Sequence, residues 1–182
     1  MRTFLFLTIV LLALPSSAGP KKKLATPAKA VAASAVEKAD PAGTARAFEK
    51  LKSLAGRWTA TRDGKTSEAF FDVVAGQTAV MERSGFLTVY YVEDGALVGI
   101  VFTDEGNQAH LRSARGLEDG GDAIAFDVSG TSNVRPGAGH VTGVTIRIID
   151  PDHLVQTYHW REGAKDSSFE IVLTRNSAST LK

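Results

Sequence analysis

Four histidines are the first candidates for chemistry in this chain of 182 residues: His110, His140, His153 and His159. His153 and His159 stand six residues apart in a strand-like segment, so they share a face but lie about 20 Å apart along it and cannot chelate one metal. His110 sits mid-segment beside Arg112, and His140 lies in a glycine-rich loop. Neither has a carboxylate at a pairing distance in sequence. Tyr90, Tyr91, Tyr158 and Trp160 are better candidates for touching a ligand. Aromatic rings with a polar tip can orient an apolar molecule, although ordinary core packing accounts for such residues about as well. Alternation sends Tyr90 and Tyr91 to opposite faces, so at most one of them lines an interior.

Glu82, Arg112 and Arg147 are charged residues within strand-like segments. An inward Arg112 would hold a carboxylate by bidentate hydrogen bonding. Arg147 shares its face with Thr145 and reads as outward, while the faces of Arg112 and Glu82 stay open. There is no phosphate-binding glycine loop, no nucleophile elbow, no His-x-x-x-His pattern and no cysteine, so neither catalysis nor a metal or other cofactor is expected. The aspartates cluster at turns, where short acidic side chains stabilise the chain reversal.

The elements that would position these residues are mostly strands. From Arg57 onward the apolar period is two, and about ten candidates follow: 57–62, 67–74, 77–83, 86–92, 96–103, 107–114, 122–128, 141–149, 153–160 and 167–175. Asp63-Gly64, Asp94-Gly95, Glu105-Gly106, Asp119-Gly120-Gly121 and Asp150-Pro151-Asp152 supply turn chemistry between them. The connections are short and no crossover helix is visible, which predicts an antiparallel meander. Closing it would remove both edges. In the last segment Phe169, Ile171, Leu173 and Arg175 share one face; before it, Leu154, Gln156, Tyr158 and Trp160 do. A short helix over 45–55 precedes the strands, with Phe48, Leu51 and Leu54 as its apolar stripe and Gly56 as its stop.

The start of the chain reads as an export signal. Arg2 precedes an apolar run from Phe4 to Leu14, and Ser16 and Ala18 are the small residues of a cleavage site. The run is short against the roughly 20 residues a bilayer span takes. The expected organisation is a signal peptide at 1–18, a flexible Ala/Lys/Pro linker at 19–44, one domain at 45–176 and a disordered tail at 177–182. The product would be periplasmic or secreted, monomeric and free of an integral membrane domain. It would hold without disulfides, since there is no cysteine, and a net charge of +1 gives no case for nucleic acid.

Gly56-x-Trp58 at the first strand with Arg175 at the end of the last is similar to the closure signature of the calycin superfamily, which holds the lipocalins and fatty-acid-binding proteins. The domain also resembles an uncharacterised exported bacterial branch of it through Leu54-Ala55-Gly56-x-Trp58, Leu87 to Tyr91, Gly106-Asn107-Gln108 and Phe169-x-Ile171-x-Leu173-x-Arg175. That branch often carries a histidine near the position of Tyr91, where this chain has two tyrosines. The resemblance implies an all-β barrel of about ten strands with a short helix at one end. It implies that the arginine packs over the tryptophan, and that the barrel binds a small apolar or fatty-acid-like ligand without catalysis. The alternatives are a filled barrel serving as a structural or interaction module, and a haem-binding barrel with His159 as lone axial ligand, against which stands a histidine that simply faces solvent.

Overall fold

The structure, a computed structural model, describes residues 38–176. The expected signal peptide, most of the linker and the 177–182 tail lie outside the described residues. The first element is helix α1 (Pro41–Ser53). It begins at Pro41 and not at Ala45 because Asp40 caps it: the Asp40 side chain accepts from the Ala42 N–H at 3.1 Å, and proline at the first helical position needs no partner for its nitrogen. Ala47, Phe48, Leu51 and Leu54 carry the buried side of α1 and its C-cap. Among the described residues no helix is long and apolar enough to cross a membrane.

The strands follow as β1 (Gly56–Arg62), β2 (Lys65–Val74), β3 (Ala79–Arg83), β4 (Leu87–Glu93), β5 (Ala96–Phe102), β6 (Gln108–Ser113), β7 (Leu117–Glu118), β8 (Ala123–Ser132), β9 (Gly139–Asp150), β10 (His153–Glu162) and β11 (Lys165–Arg175). All pairs are antiparallel. Neighbours in sequence pair in turn except β6 and β7, β1 pairs with β11, and β6 pairs with β8, so the sheet closes into a ring of ten strands. The two-residue β7 pairs only with β8 and stands outside that ring. The β6–β8 seam has a register shift at His110/Leu111, and β9–β10 has one near each end; such bulges let a sheet bend enough to close.

One end of the barrel is sealed. Trp58, fully buried, donates from Nε1 to the Leu54 carbonyl at 2.8 Å and meets Phe71 edge-on. Arg175 lies over the Trp58 ring at 4.3 Å and donates to the carbonyls of Ala55, Ser53 and Pro151. It ties the helix exit, the first strand and the β9–β10 turn together. The first turn of α1 meets the loop before β7 backbone to backbone: Asp40 N–H donates to Ala114 C=O at 2.8 Å. The opposite end is ringed by the turns β1–β2, β3–β4, β5–β6, β8–β9 and β10–β11.

Candidate functional site

Alternation along the strands decides which side chains reach the interior. On β3, Val80 and Glu82 point inward and Ser84 continues that face into the turn; on β4, Thr88 and Tyr90 do so; on β10, Leu154, Gln156 and Tyr158 do so. All are buried. Four of them form one hydrogen-bonded group. Tyr90 Oη donates to Glu82 Oε2 at 2.7 Å, Gln156 Nε2 donates to Glu82 Oε1 at 2.8 Å, and Ser84 Oγ donates to the same Oε1. Ser84 Oγ also lies 3.2 Å from Gln156 Oε1. Glu82 is the one charged residue among the buried described residues. Its burial pushes the carboxyl pKa up, and the bonds from Ser84, Tyr90 and Gln156 only partly oppose the shift. Burial likewise drives the Tyr90 and Tyr158 phenols well above their ordinary range, with the Glu82 charge adding to it.

The hydroxyls of Tyr158 and Thr88 are buried with no hydrogen-bond partner among protein atoms. Those of Thr88 and Ser84 are close enough to Tyr158 to oppose the rise in its pKa. Thr88 is likewise close enough to Tyr90 to oppose the rise in its pKa, so these hydroxyls are one another's nearest polar neighbours.

A cavity of about 410 Å³ opens at the unsealed end and reaches this group. Ala60, Phe86 and Ile171 give it apolar wall, Ser84 forms its inner polar contact, and Arg62, Asp63, Lys65 and Asp104 stand at its mouth. Arg62 is already engaged, lying 3.7 Å from the Phe169 ring and 3.5 Å from Asp63. Phe86 belongs to an aromatic cluster. It stacks on Trp160 at 6.1 Å, meets Tyr158 edge-on, and Tyr158 stacks on Phe169 at 5.4 Å. The Trp160 indole rests against Gly139, where a Cβ would overlap the ring.

The sequence candidates divide accordingly. Tyr90 and Tyr158 are interior, and Trp160 is half-buried beside the cavity wall. Tyr91 is on the outer face, where alternation puts the neighbour of Tyr90. Arg112 is also on the outer face, since Ala109, Leu111 and Ser113 are the buried residues of β6; it lines a surface depression with Glu118 and Asp127. The faces of Arg112 and Glu82, both left open by the sequence, are thus outer and inner respectively, and the interior ionisable group is an acid. His159 is exposed on the outer wall, opposite in parity to Tyr158, so it cannot serve as an axial ligand to a haem inside the barrel. Sequence reasoning missed Ser84 and Gln156 as site residues, though the shared face of Gln156 with Tyr158 was visible. It also missed the structural Asn107, which is buried and donates to Gly139 C=O at 2.8 Å, joining two rim turns.

No family model matches the chain, and no curated protein matches it in sequence.

Proposed function

We propose that this barrel binds a small, largely apolar molecule through its open end and performs no catalysis on it. The observation that carries the reading is the cavity of about 410 Å³ running from a charged mouth, past Ala60, Phe86 and Ile171, to Ser84. Clefts of roughly this size are the usual form of small-molecule sites; this one combines the apolar Ala60, Phe86 and Ile171 with Thr66, Ser67 and Ser84 and the charged mouth. The kinship proposed with it is calycin, supported by the Trp58–Arg175 closure at the sealed end. Action outside the cytoplasm is proposed on the leader-like residues 1–18 alone.

The test is titration with a neutral apolar dye, N-phenyl-1-naphthylamine. Saturable one-to-one enhancement of its emission supports the reading. Ser67→Trp should abolish it, because Ser67 is exposed at the cavity mouth and a large ring there fills the entry without disturbing the core. Enhancement that survives Ser67→Trp, or none at all, overturns it.

The second reading, an interaction module, is favoured by the exposed cross-strand pair Leu87 and Phe102 on the outer wall near the open end. It is also favoured by the filled half of the interior around Trp58, Phe71 and Leu173.

A further inference from the structure

We infer that the ligand carries an uncharged head that both donates and accepts hydrogen bonds, a hydroxyl or primary amide seated against Ser84, and that an amphiphile of the same length ending in a carboxylate is rejected. The inference rests on the binding reading above and narrows its ligand class.

The inner end of the cavity is Ser84, 2 % exposed, whose one hydroxyl proton is taken up by Glu82 Oε1, with Gln156 Oε1 at 3.2 Å as the other acceptor in reach. The oxygen of Ser84 is therefore left as an acceptor, so the head must bring a donor. The Tyr158 hydroxyl lies within reach of Ser84 and Thr88, so a donor for an acceptor on the same head stands close to the Ser84 oxygen. A carboxylate has no proton to give Ser84. It would also bring its charge up to the buried Glu82 carboxyl with no basic side chain beside it, and burying an uncompensated charge is costly.

Nothing basic compensates within the barrel. Among the described residues no arginine or lysine is buried, and Arg175 is engaged at the sealed end. The mouth does not reverse the preference: Arg62 and Lys65 stand there with Asp63 and Asp104, so its formal charges cancel.

The test compares 1-octanol with octanoate at pH 8, where octanoate is ionised, by isothermal titration and by tryptophan emission. Trp160 stacks on the cavity-lining Phe86, while Trp58 is sealed at the far end. Octanol should bind at least about tenfold more tightly than octanoate, the scale of one unmade hydrogen bond to a buried group. Ser84→Ala should weaken octanol about tenfold, the same scale. Glu82→Gln, which removes the ionisable acid and keeps the shape, should narrow the gap between the two probes. Octanoate binding as tightly as octanol overturns the inference and leaves the binding reading standing. So does a gap unchanged by Glu82→Gln, or an octanol affinity unchanged by Ser84→Ala. If neither probe binds, the inference falls, and the dye titration decides the binding reading separately.

Discussion

Arg175 and Trp58 are cross-strand partners in the β1–β11 pair, and the guanidinium lies 4.3 Å above the indole ring while its nitrogens donate to three carbonyls. The seam that closes the sheet on its first strand is therefore also the point where the helix exit is fastened. Trp58→Ala removes the largest fully buried side chain and leaves that guanidinium without its platform, so it should cost about 3–5 kcal/mol in urea denaturation. Arg175→Lys keeps the charge and loses the fork. It should restore less than half of what Arg175→Ala loses, because one ammonium cannot reach three carbonyls at once.

Glu82 gives the fold a pH dependence of its own. The folded carboxyl holds its proton to higher pH than an unfolded glutamate, whose ordinary value is 4.5. Between that value and its own raised pKa the folded chain binds the extra proton, so stability falls as pH rises through the window and is level above it. Glu82→Gln cannot ionise. Its melting temperature relative to the parent should therefore climb as pH rises above 4.5 and level off once the buried carboxyl of the parent has ionised. Asp150 and Asp166 act in the other direction, being held below their ordinary 3.8 first by the Asp152 N–H and by Arg161 respectively. Their contribution is lost only as pH falls below 3.8, and it is common to both proteins. A difference between the two proteins that stays flat from pH 4 to 8 would show that Glu82 is not buried as described.

Gly139 seats Trp160. A Cβ there would overlap the indole, so Gly139→Ala must move the ring off its stack with Phe86. The expected cost is about 1–3 kcal/mol, the usual range for overpacking. Trp160 emission should shift to the red as the ring meets water. An unshifted spectrum would mean that Trp160 does not rest on Gly139.

Much of this barrel is legible in the chain because it rests on local signals. Period-two alternation locates the strands, and Asp-Gly and Asp-Pro turns locate the breaks. Alternation alone also groups the Leu154-Gln156-Tyr158-Trp160 face correctly. The helix start is missed although Asp40-Pro41 is a cap signal, since the alanine-rich composition around it masks where the linker ends. The candidate site is harder to read. Glu82 lies next to Met81 and Arg83 with mixed neighbours two residues away, so parity leaves its face undecided. Its partners Gln156 and Tyr90 come from other strands, Gln156 from 74 residues away. Only closure of the ring brings β3 opposite β10. Arg112 is undecided in the same way, and its outward face follows only from the burial of Ala109, Leu111 and Ser113 once the ring has closed.

Gly116 and Gly64 offer a matched pair for separating backbone conformation from packing. Both have positive φ, +75° and +72°, where a side chain is strained. A Cβ on Gly64 meets nothing within 4 Å, whereas one on Gly116 would overlap the backbone of Gly43 in the first turn of α1. Gly64→Ala should therefore cost only the left-handed penalty, about 1 kcal/mol. Gly116→Ala incurs that penalty and must also lift the helix from the loop that holds it, breaking the contact between Asp40 N–H and Ala114 C=O. Its loss should exceed that of Gly64→Ala by at least about 1 kcal/mol, the scale of one buried backbone hydrogen bond. Hydrogen exchange should show the difference concentrated in the amides of α1 and of the 114–118 loop. Equal losses, or exchange rising evenly over the barrel, would mean that α1 is not packed against that loop.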